Sequence, residues 1–243
     1  MTCGLQPGLF VTGTDTGAGK TVVAAAIIRS LAASDLRVAG MKPVSAGSRH
    51  TRDGLRNDDA LALIQAANVV AAYEVVNPYC FAAPIAPHIA ARDTGVVIDI
   101  ELIRERFNTL ASTADCVVVE GAGGWLAPIG PAQTMADVAA ALALPVVLVV
   151  ALRLGCLNHA LLTARALAGH GAGLAGWIGN SIDPDFKRAA DNVAALAQLL
   201  GAAPVAVLPY APQAIDILDL PPGAALRLMA PASSSVTPTR GLL

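Results

Sequence analysis

Residues 10–22 read Phe-Val-Thr-Gly-Thr-Asp-Thr-Gly-Ala-Gly-Lys-Thr-Val, and this stretch decides the fold. An apolar run enters a glycine-rich turn that closes on Gly19-Lys20-Thr21, and a helical pattern follows at once. Strand, loop and helix in this order are typical of a phosphate-binding loop, in which backbone N–H groups and the positive end of the helix face the anion. Gly-Lys-Thr alone would also suit an ordinary helix start, but the strand before it favours nucleotide binding. In such a loop the lysine charge faces the phosphates and the threonine hydroxyl ligates Mg²⁺.

One position departs from the strict eight-residue pattern of these loops. The pattern has glycine where Thr14 stands. We therefore expect Gly13, Gly17 and Gly19 to supply the curvature of the loop instead.

Beyond this loop, apolar runs alternate with helical patterns. The strand candidates are 9–11, 38–41, 116–119, 146–150, 174–178 and 205–208, and the helical stretches run over roughly 20–33, 59–67, 100–111, 135–143, 157–170 and 184–200. Because the strand runs are continuously apolar, we predict an α/β fold with a mostly parallel central sheet and helices on both faces. The proline-rich residues 77–87 are interpreted as an ordered excursion that leads into a short helix near 88–92. We predict a single domain over residues 1–243, with a frayed tail from about residue 231.

The composition limits the classes of function. Apolar residues make up 55 % and charged residues 14 %, and with a net charge of −2 and scattered basic residues no nucleic-acid surface is expected. The longest charge-free apolar run, 138–152, is too short to cross about 30 Å of hydrocarbon, and Pro145 interrupts it. The N-terminus lacks the pattern of a secretory signal, and the 4 cysteines are too far apart to indicate a disulfide framework or a metal site. We expect a cytoplasmic protein that binds neither nucleic acid nor membrane.

Two acidic residues are candidates for a metal site. Glu120 comes directly after the apolar run 116–119 and precedes Gly121-Ala122-Gly123-Gly124, a loop almost without side chains. Asp59 lies at a helix start beside Asp58. Because Asp is a routine N-cap, we expect Asp58 to cap the helix and Asp59 to point inward, although the sequence leaves the two close to even. A strand-ending carboxylate can also simply cap a turn. With Thr21, however, the two carboxylates would suffice for Mg²⁺, which takes few protein oxygens besides phosphates and water.

Lys42 stands at the end of the second strand, within Gly40-Met41-Lys42-Pro43-Val44-Ser45-Ala46-Gly47. Pro43 fixes the backbone directly beyond the lysine. The side chain is either a solvated strand-end charge or a second cation that faces a γ-phosphate. Two lysines near one phosphoryl group would stabilise charge during its transfer, so Lys20 and Lys42 are the candidate catalytic residues.

Several segments in this order together resemble the dethiobiotin synthetase family. They are Thr12-Gly13-Thr14-Asp15-Thr16 with Gly19-Lys20-Thr21, Lys42-Pro43-Val44, Asn77-Pro78-Tyr79, Pro87-His88, Glu120-Gly121-Ala122-Gly123-Gly124-Trp125 and Leu154-Gly155-Cys156-Leu157-Asn158-His159. The resemblance implies a P-loop NTPase-like fold and a homodimer. It also implies an ATP- and Mg²⁺-dependent cyclo-ligase of biotin biosynthesis, which converts 7,8-diaminopelargonate, CO₂ and ATP into dethiobiotin, ADP and phosphate. In the family a carbamate of the diamine attacks the γ-phosphate, and the second amine then closes the ring.

Residue by residue, the resemblance also implies roles for positions of this chain. Lys20 and Lys42 would be catalytic, and Thr21, Asp59 and Glu120 would hold Mg²⁺. The nucleotide would contact Gly17, Ala18, Gly19, Lys20, Thr21, Val22, Asp59, Glu120, Gly121, Ala122, Gly123, Asn180, Pro209, Tyr210 and Ala211. The diamine would contact Thr16, Ser45, Gly155, Cys156, Leu157 and Asn158. The last four would act across the dimer interface, where a helix N-terminus suits a carboxylate, although Asn158 is also compatible with an ordinary helix start.

The chain departs from the family at Ala46, where the family has a hydroxyl four residues after the lysine. Ser45 lies beside this position and is the candidate substitute. The end of the adenine site after Ala211 aligns loosely, and Asp216 is a further candidate there.

The sequence argues against three other classes of protein. A dimerising ATPase switch of the ParA/MinD type carries an extra lysine early in its loop, near the position of Asp15, and an acid there argues against that class. An amidating synthetase of the cobyrinate type needs a glutamine-handling domain, for which this chain has no room and no Cys/His pair. A plain nucleotide-binding module would leave the carboxylates and Lys42 without a role.

Overall fold

A computed structural model describes residues 7–211 and 218–230. The frayed tail expected from about residue 231 and the candidate Asp216 lie outside these residues. Along the described ranges the strands are β1 (Gly8–Gly13), β2 (Val38–Met41), β3 (Val44–Ser45), β4 (Arg49–Thr51), β5 (Gly54–Arg56), β6 (Tyr79–Cys80), β7 (Cys116–Glu120), β8 (Val146–Leu152), β9 (Leu174–Ser181) and β10 (Ala206–Leu208). The helices are α1 (Lys20–Ala32), α2 (Asp58–Ala66), α3 (Tyr73–Val76), α4 (Pro87–Thr94), α5 (Ile100–Ala111), α6 (Met135–Leu142), α7 (Cys156–Gly169), α8 (Ala189–Leu200) and α9 (Ala224–Met229).

The central sheet has six parallel strands in the order β10-β9-β8-β1-β7-β2. These are the six apolar runs of the sequence, so the prediction of a mostly parallel sheet is confirmed. The loop strand β1 lies inside the sheet, with Phe10 opposite Val119 of β7 and Val146 of β8. Every loop that follows a strand of this sheet therefore opens at the same edge, where ligands bind in such folds.

Alternate residues of each strand are buried on opposite faces of the sheet. In β1, Leu9 and Val11 pack with Ile27 of α1 and Leu228 of α9, whereas Phe10 packs in the cluster on the other face, to which α5, α6, α7 and α8 contribute. Helices thus cover both faces, as predicted. Burial on both sides explains why the strands read as continuous apolar runs rather than as an alternating pattern.

Most helices begin and end close to the predicted residues. The exception is α8, which was predicted from residue 184 but begins at Ala189, because 183–186 form a turn and Arg188 has a left-handed φ of 64°. The excursion before the short helix α4 is confirmed as ordered and contains β6. Within the described residues, no helix combines the length and the hydrophobicity needed to cross a bilayer.

The capping prediction for α2 is wrong in one respect. The N-cap is Asn57, whose side chain accepts a hydrogen bond from the backbone N–H of Ala60 at 3.3 Å. Asp58 lies in the first turn instead and pairs with Arg49 at the surface. Asp59 points inward as predicted, toward Lys42.

Candidate active site

The loop after β1 has the curvature of a phosphate-binding loop, but two glycines rather than three adopt the left-handed conformation. Gly17 and Gly19 have φ of 78° and 84°. Gly13 does not, so the prediction that it bends the loop is wrong. It is the last residue of β1, and a Cβ there would lie 3.1 Å from Cγ of Lys20, so its small size lets the lysine stem pass. Thr14 stays attached to the sheet, because its N–H donates to the carbonyl of Val149 at 3.0 Å.

Lys20 begins α1 and lies buried beneath this loop. Its ammonium group donates to the backbone carbonyl of Asp15 at 3.0 Å. Burial, together with the neighbouring charge of Lys42, lowers the pKa of Lys20 to about 8 against the attraction of nearby carboxylates. The carboxylate of Asp15 pairs with Arg153 at 2.7 Å, so the loop is tied to the segment that follows β8.

Lys42, Glu120, Asp59 and Thr21 form one cluster at the carboxyl ends of β2 and β7. The Lys42 ammonium lies 2.6 Å from Oε1 of Glu120 and 3.0 Å from Oδ2 of Asp59. The hydroxyl of Thr21 donates to the same Oε1 at 2.9 Å. The side chains of Lys42 and Glu120 are only 4 % and 1 % exposed. The second lysine therefore points into the site rather than into solvent.

The charges of this cluster shift one another's pKa values. Burial opposes the ammonium form of Lys42, but Glu120 and Asp59 outweigh it and raise the pKa of the lysine. Burial also opposes the charged form of Asp59, yet Lys42 and Thr21 together lower the pKa of that carboxyl. For Glu120, which is fully enclosed, burial dominates and raises the pKa despite the attraction of Lys42. Because its pKa is raised, Lys42 stays protonated and keeps its positive charge inside the cleft.

The oxygen donors of the cluster suit a hard divalent cation. Oε2 of Glu120 is buried and has no hydrogen-bond partner among the described residues, which is costly for a carboxylate unless a cation or water completes it. Together with the Thr21 hydroxyl and the Asp59 carboxylate it forms the kind of sparse oxygen set that Mg²⁺ uses beside phosphates. In residues 7–211 and 218–230, no group of three or more His, Cys, Asp and Glu side chains offers an alternative metal site.

A cleft of about 680 Å³ opens above this cluster. It is lined by Thr16, Gly17, Gly19, Lys20, Thr21, Val22, Lys42, Val44, Ser45, Ala46, Asp59, Pro84, Ile85, Ala86, Pro87, Glu120, Ala122 and Gly123. Most of the residues predicted for phosphate, metal and catalysis thus meet in one place. Ala18 and Gly121 lie directly beside the lining; the carbonyl of Gly121 is 3.4 Å from the Lys42 ammonium.

The other predicted nucleotide residues lie at the carboxyl ends of β9 and β10. Asn180 lies in β9, and its amide donates to the carbonyl of Ala18 at 3.0 Å. Pro209, Tyr210 and Ala211 follow β10 at the same edge of the sheet, with Tyr210 exposed. A Cβ at Gly19 would lie 2.0 Å from the Asn180 amide nitrogen, so only glycine fits beneath it.

The predicted substrate residues fall into two groups. Thr16 and Ser45 line the cleft, but the Ser45 hydroxyl donates to Oδ1 of Asn77 at 2.8 Å. Gly155, Cys156, Leu157 and Asn158 stand at the start of α7 and do not line the cleft formed by the described part of this chain. Cys156 is buried, and its backbone N–H bonds to the carbonyl of Arg153. Their role in binding remains a prediction that requires a second copy of the chain.

Several residues of the cleft were missed by the sequence analysis. The apolar wall comes from Val44 and from 84–87; the family segments contained Val44 and Pro87, but the sequence analysis gave neither a place in the site. Asn77 and Tyr73 lie behind the cleft and hydrogen-bond each other at 2.9 Å. Long-range contacts of this kind leave no local pattern in a sequence.

A second cavity, of about 460 Å³, lies beside Trp125 and His170. Its lining is otherwise alanine, glycine, proline and leucine, without a lysine, arginine or carboxylate among the described residues. The cleft above Lys42, in contrast, is lined by two lysines and two carboxylates, which can bind and polarise a charged substrate.

The fold and the loop define a P-loop nucleotide-binding protein. Over residues 7–216 the chain matches the family model described as AAA domain. It is similar in structure to the MinC:MinD cell division protein complex of Aquifex aeolicus, with a TM-score of 0.54 and 18 % identity, covering 92 % of this chain and 86 % of that one. A ParA family ATPase from Chlorobium tepidum gives a TM-score of 0.51 and 16 % identity over 91 % and 90 % of the two chains. At these identities the likeness shows the fold alone.

Curated relatives narrow this class further. A protein of Xanthomonas oryzae pv. oryzae named ATP-dependent dethiobiotin synthetase is 47 % identical over 208 residues, which is 86 % of this chain and 93 % of the relative. A protein of Pseudomonas aeruginosa with the same name is 49 % identical over 198 residues, 81 % of this chain and 87 % of that protein. The chain belongs to the dethiobiotin synthetase family.

Proposed function

We propose that this protein is an ATP-dependent dethiobiotin synthetase, which closes the ureido ring of dethiobiotin from 7,8-diaminopelargonate and CO₂ and releases ADP and phosphate. The observation that carries the proposal is the buried Lys42 ammonium, held 2.6 Å from Glu120 at the floor of the cleft, beside the phosphate-binding loop. A nucleotide-binding module or a switch has no evident use for this second cation. Family membership and the firm charge of Lys42 both support a ligase.

The reaction brings two anions together. One amine of the diamine takes up CO₂ to form a carbamate, whose oxygen attacks the γ-phosphorus while the bond to ADP breaks. The second amine then attacks the carbamate carbon, phosphate leaves, and the amine loses its proton as the ring closes. Positive charge fixed in place before the reaction stabilises such a transition state more than mobile solvent does.

Each lysine has a separate task in this proposal. Lys20, at the start of α1, neutralises the β- and γ-phosphates together with the backbone N–H groups of residues 17–22. Lys42 lines the same cleft as Lys20 and Ser45 and would hold the carbamate near the γ-phosphate. Its raised pKa keeps it protonated, so it acts by its charge rather than as a base.

Mg²⁺ is part of the proposal. Thr21, Asp59 and Glu120 would hold it, and the unpartnered Oε2 of Glu120 supports this assignment. The bound cation supplies charge neutralisation at the phosphate oxygens. Glu120 and Asp59 in turn orient the Lys42 ammonium, so the two carboxylates serve both cations.

We also propose that the diamine carboxylate binds at the start of α7 of a second copy of the chain, which makes the working unit a homodimer. Gly155 has a left-handed φ of 95° and precedes the first turn of α7, and the positive end of this helix is suited to an anion. Unpaired Cys80, Cys116 and Cys156 support a reducing compartment such as the cytoplasm.

The test is turnover of the purified protein with ATP, MgCl₂, bicarbonate and 7,8-diaminopelargonate. We expect dethiobiotin, identified by mass spectrometry, in equal amount to the ADP formed. ATP hydrolysis should also depend on the diamine. Hydrolysis that proceeds equally well without the diamine, with no dethiobiotin formed, would favour an ATPase switch of the ParA/MinD type instead.

A further inference from the structure

Asn77 has a side chain whose hydrogen-bonding capacity is completely used. It is buried, with 2 % of its surface exposed. Its Nδ2 donates to the backbone carbonyl of Lys42 at 2.6 Å and to that of Tyr79 at 3.3 Å. Its Oδ1 accepts from the hydroxyls of Ser45, at 2.8 Å, and Tyr73, at 2.9 Å. Two donors and two acceptors are all that an asparagine amide offers, so its orientation is fixed.

Tyr73 connects this amide to the start of α2. While its hydroxyl donates to Asn77, it accepts the backbone N–H of Asn57 at 2.7 Å. Asn57 is the N-cap of α2, so Tyr73 fixes the residue from which the helix begins. The same ring also lies under the Arg56 guanidinium, whose Cζ is 4.1 Å from the ring centre.

Helix α2 closes the connection, because it carries Asp59. The Asp59 carboxylate lies 3.0 Å from the Lys42 ammonium, while Asn77 holds the Lys42 carbonyl. Both ends of the lysine are therefore attached to one frame, which runs from Lys42 through Asn77, Tyr73 and Asn57 to Asp59 and back. Pro43 follows the lysine and cannot donate a backbone N–H, which leaves the carbonyl as the anchoring point on that side.

We propose that Asn77 is a positioning residue for the Lys42 ammonium group, acting through this frame of hydrogen bonds and the start of α2 rather than by contact with a substrate. The inference rests on the proposed function and deepens it, since it assigns a task to the Asn-Pro-Tyr segment at 77–79. The inference also gives Ser45 a structural role, because its hydroxyl donates one of the two hydrogen bonds that the Asn77 oxygen accepts.

The chain contains a matched control for Asn77. Asn68 likewise bridges backbone groups at β2, but at the opposite end of the strand: its Oδ1 accepts from the Val38 N–H at 2.7 Å and its Nδ2 donates to the Leu36 carbonyl at 2.8 Å. Asn68 contacts none of the cluster residues in these bonds. Substitution of Asn77 removes a backbone-bridging amide close to Lys42, whereas the same substitution of Asn68 removes one far from it.

The experiment compares Asn77→Asp with Asn68→Asp. In Asn77→Asp an oxygen replaces the donor that faces two carbonyls, so Lys42 should shift and kcat for dethiobiotin should fall by about 10²-fold, a loss expected from a misplacement near 1 Å. The KM for ATP should stay within about twofold, because the phosphate-binding loop is untouched. Asn68→Asp should lower the melting temperature without changing kcat. Equal kcat values for Asn77→Asp and the wild type would overturn the inference.

A second variant and a second measurement distinguish failure of the positioning role from failure of the proposed function. Tyr73→Phe keeps the ring over Arg56 and removes only the hydroxyl, so kcat should fall roughly fivefold even if Asn77→Asp does not fold. Crystal structures of the variants should show the Lys42 ammonium displaced from Glu120. If the wild-type protein makes no dethiobiotin, the proposed function fails, whereas an undisplaced Lys42 in both variants refutes the positioning role independently.

Discussion

The same two neighbouring strands, β2 and β7, carry a basic–acidic pair at each end. Arg37 and Asp115 form the pair before the strands, and Lys42 and Glu120 form the pair at their carboxyl ends. Between the two pairs the strands are in parallel register, from Val38 opposite Cys116 to Met41 opposite Val119. The first pair is held by two guanidinium hydrogen bonds at the surface, whereas the second is enclosed. Each pair joins one positive and one negative side chain, but the surroundings differ, and Lys42 has a second partner in Asp59.

The difference in burial changes the consequence of each pair. Hydrogen bonds from Arg37 lower the pKa of Asp115 to about 2, the usual result for a carboxylate with a solvated partner. Burial instead raises the pKa of Glu120 although its lysine is closer. An exposed pair contributes little to stability, while an enclosed pair is costly to form and is retained where its field serves a reaction. Under the proposed function, the carboxyl edge of these strands serves the reaction and the amino edge serves the fold.

The largest effect is expected when the basic side chain of each pair is removed. Lys42→Ala should reduce turnover on the order of 10³-fold or more, because no other group replaces its charge between the two anions. Arg37→Ala should leave turnover unchanged. Dethiobiotin formation is measured for both, and nucleotide binding by calorimetry shows whether the Lys42 variant retains its loop. Near-normal turnover in Lys42→Ala would remove this lysine from the catalytic residues.

Replacing the acids sharpens the comparison at the metal site. Glu120→Gln keeps the shape of the side chain but removes the charge next to Thr21, so the Mg²⁺ concentration for half-maximal turnover should rise by about 10–100-fold. Asp115→Asn is the isosteric control and should leave that concentration unchanged. An unaltered Mg²⁺ dependence in Glu120→Gln would assign the metal to other ligands.

The lowered pKa of Lys20 gives a pH dependence that Arg37 cannot show. Burial brings this pKa to about 8, so the protein without nucleotide loses the Lys20 charge as the pH rises through that value. ATP affinity should therefore fall above pH 8, by at most about tenfold per pH unit. Binding titrations from pH 7 to 10 on the wild type and on Lys20→Arg measure it; the arginine stays charged, so its curve should be flatter. Parallel curves would contradict the assignment.

The smallest expected effect concerns acid stability at the amino edge. The pKa of Asp115 lies below its ordinary value, so its stabilising contribution is complete above about pH 4 and is lost as the pH falls through about 2. Asp115→Asn should lower the melting temperature at neutral pH on the order of 1 °C, because the pair is partly exposed and screened. Melting curves of the wild type and Asp115→Asn should differ at pH 7 and should coincide at pH 2. A difference that persists at pH 2 would assign the effect to packing.

Much of this architecture is readable from the sequence, for physical reasons. A strand buried on both faces must be apolar throughout, so 116–119 and 146–150 stand out without any structure. Phosphate binding requires a fixed spacing of glycine, lysine and threonine, which places 13–21 at the end of a strand. Because parallel strands end at the same edge of a sheet, the sequence also predicts that Lys42 and Glu120 lie close together.

What the sequence did not predict depends on contacts between distant residues. The capping asparagine, Asn57, was overlooked beside two acids that also favour a helix start. Its backbone N–H donates to the hydroxyl of Tyr73, a residue that is 16 positions away in the sequence. The strands β3 and β6 have two residues each, too short for any periodicity. The partner of Ser45 could not be predicted, because a hydroxyl has many possible acceptors and only the fold selects Asn77.

Asn180 covers Gly19 so closely that no side chain fits between them, and this contact has a consequence for the history of the protein. Residue 19 cannot enlarge unless residue 180 shrinks first, and the left-handed backbone of Gly19 would strain any larger residue even then. Asn180 could be exchanged alone, but the Ala18 carbonyl would lose its donor. The constraint between the two positions therefore runs one way: a change at residue 19 depends on residue 180, whereas a change at residue 180 costs only the bond to Ala18.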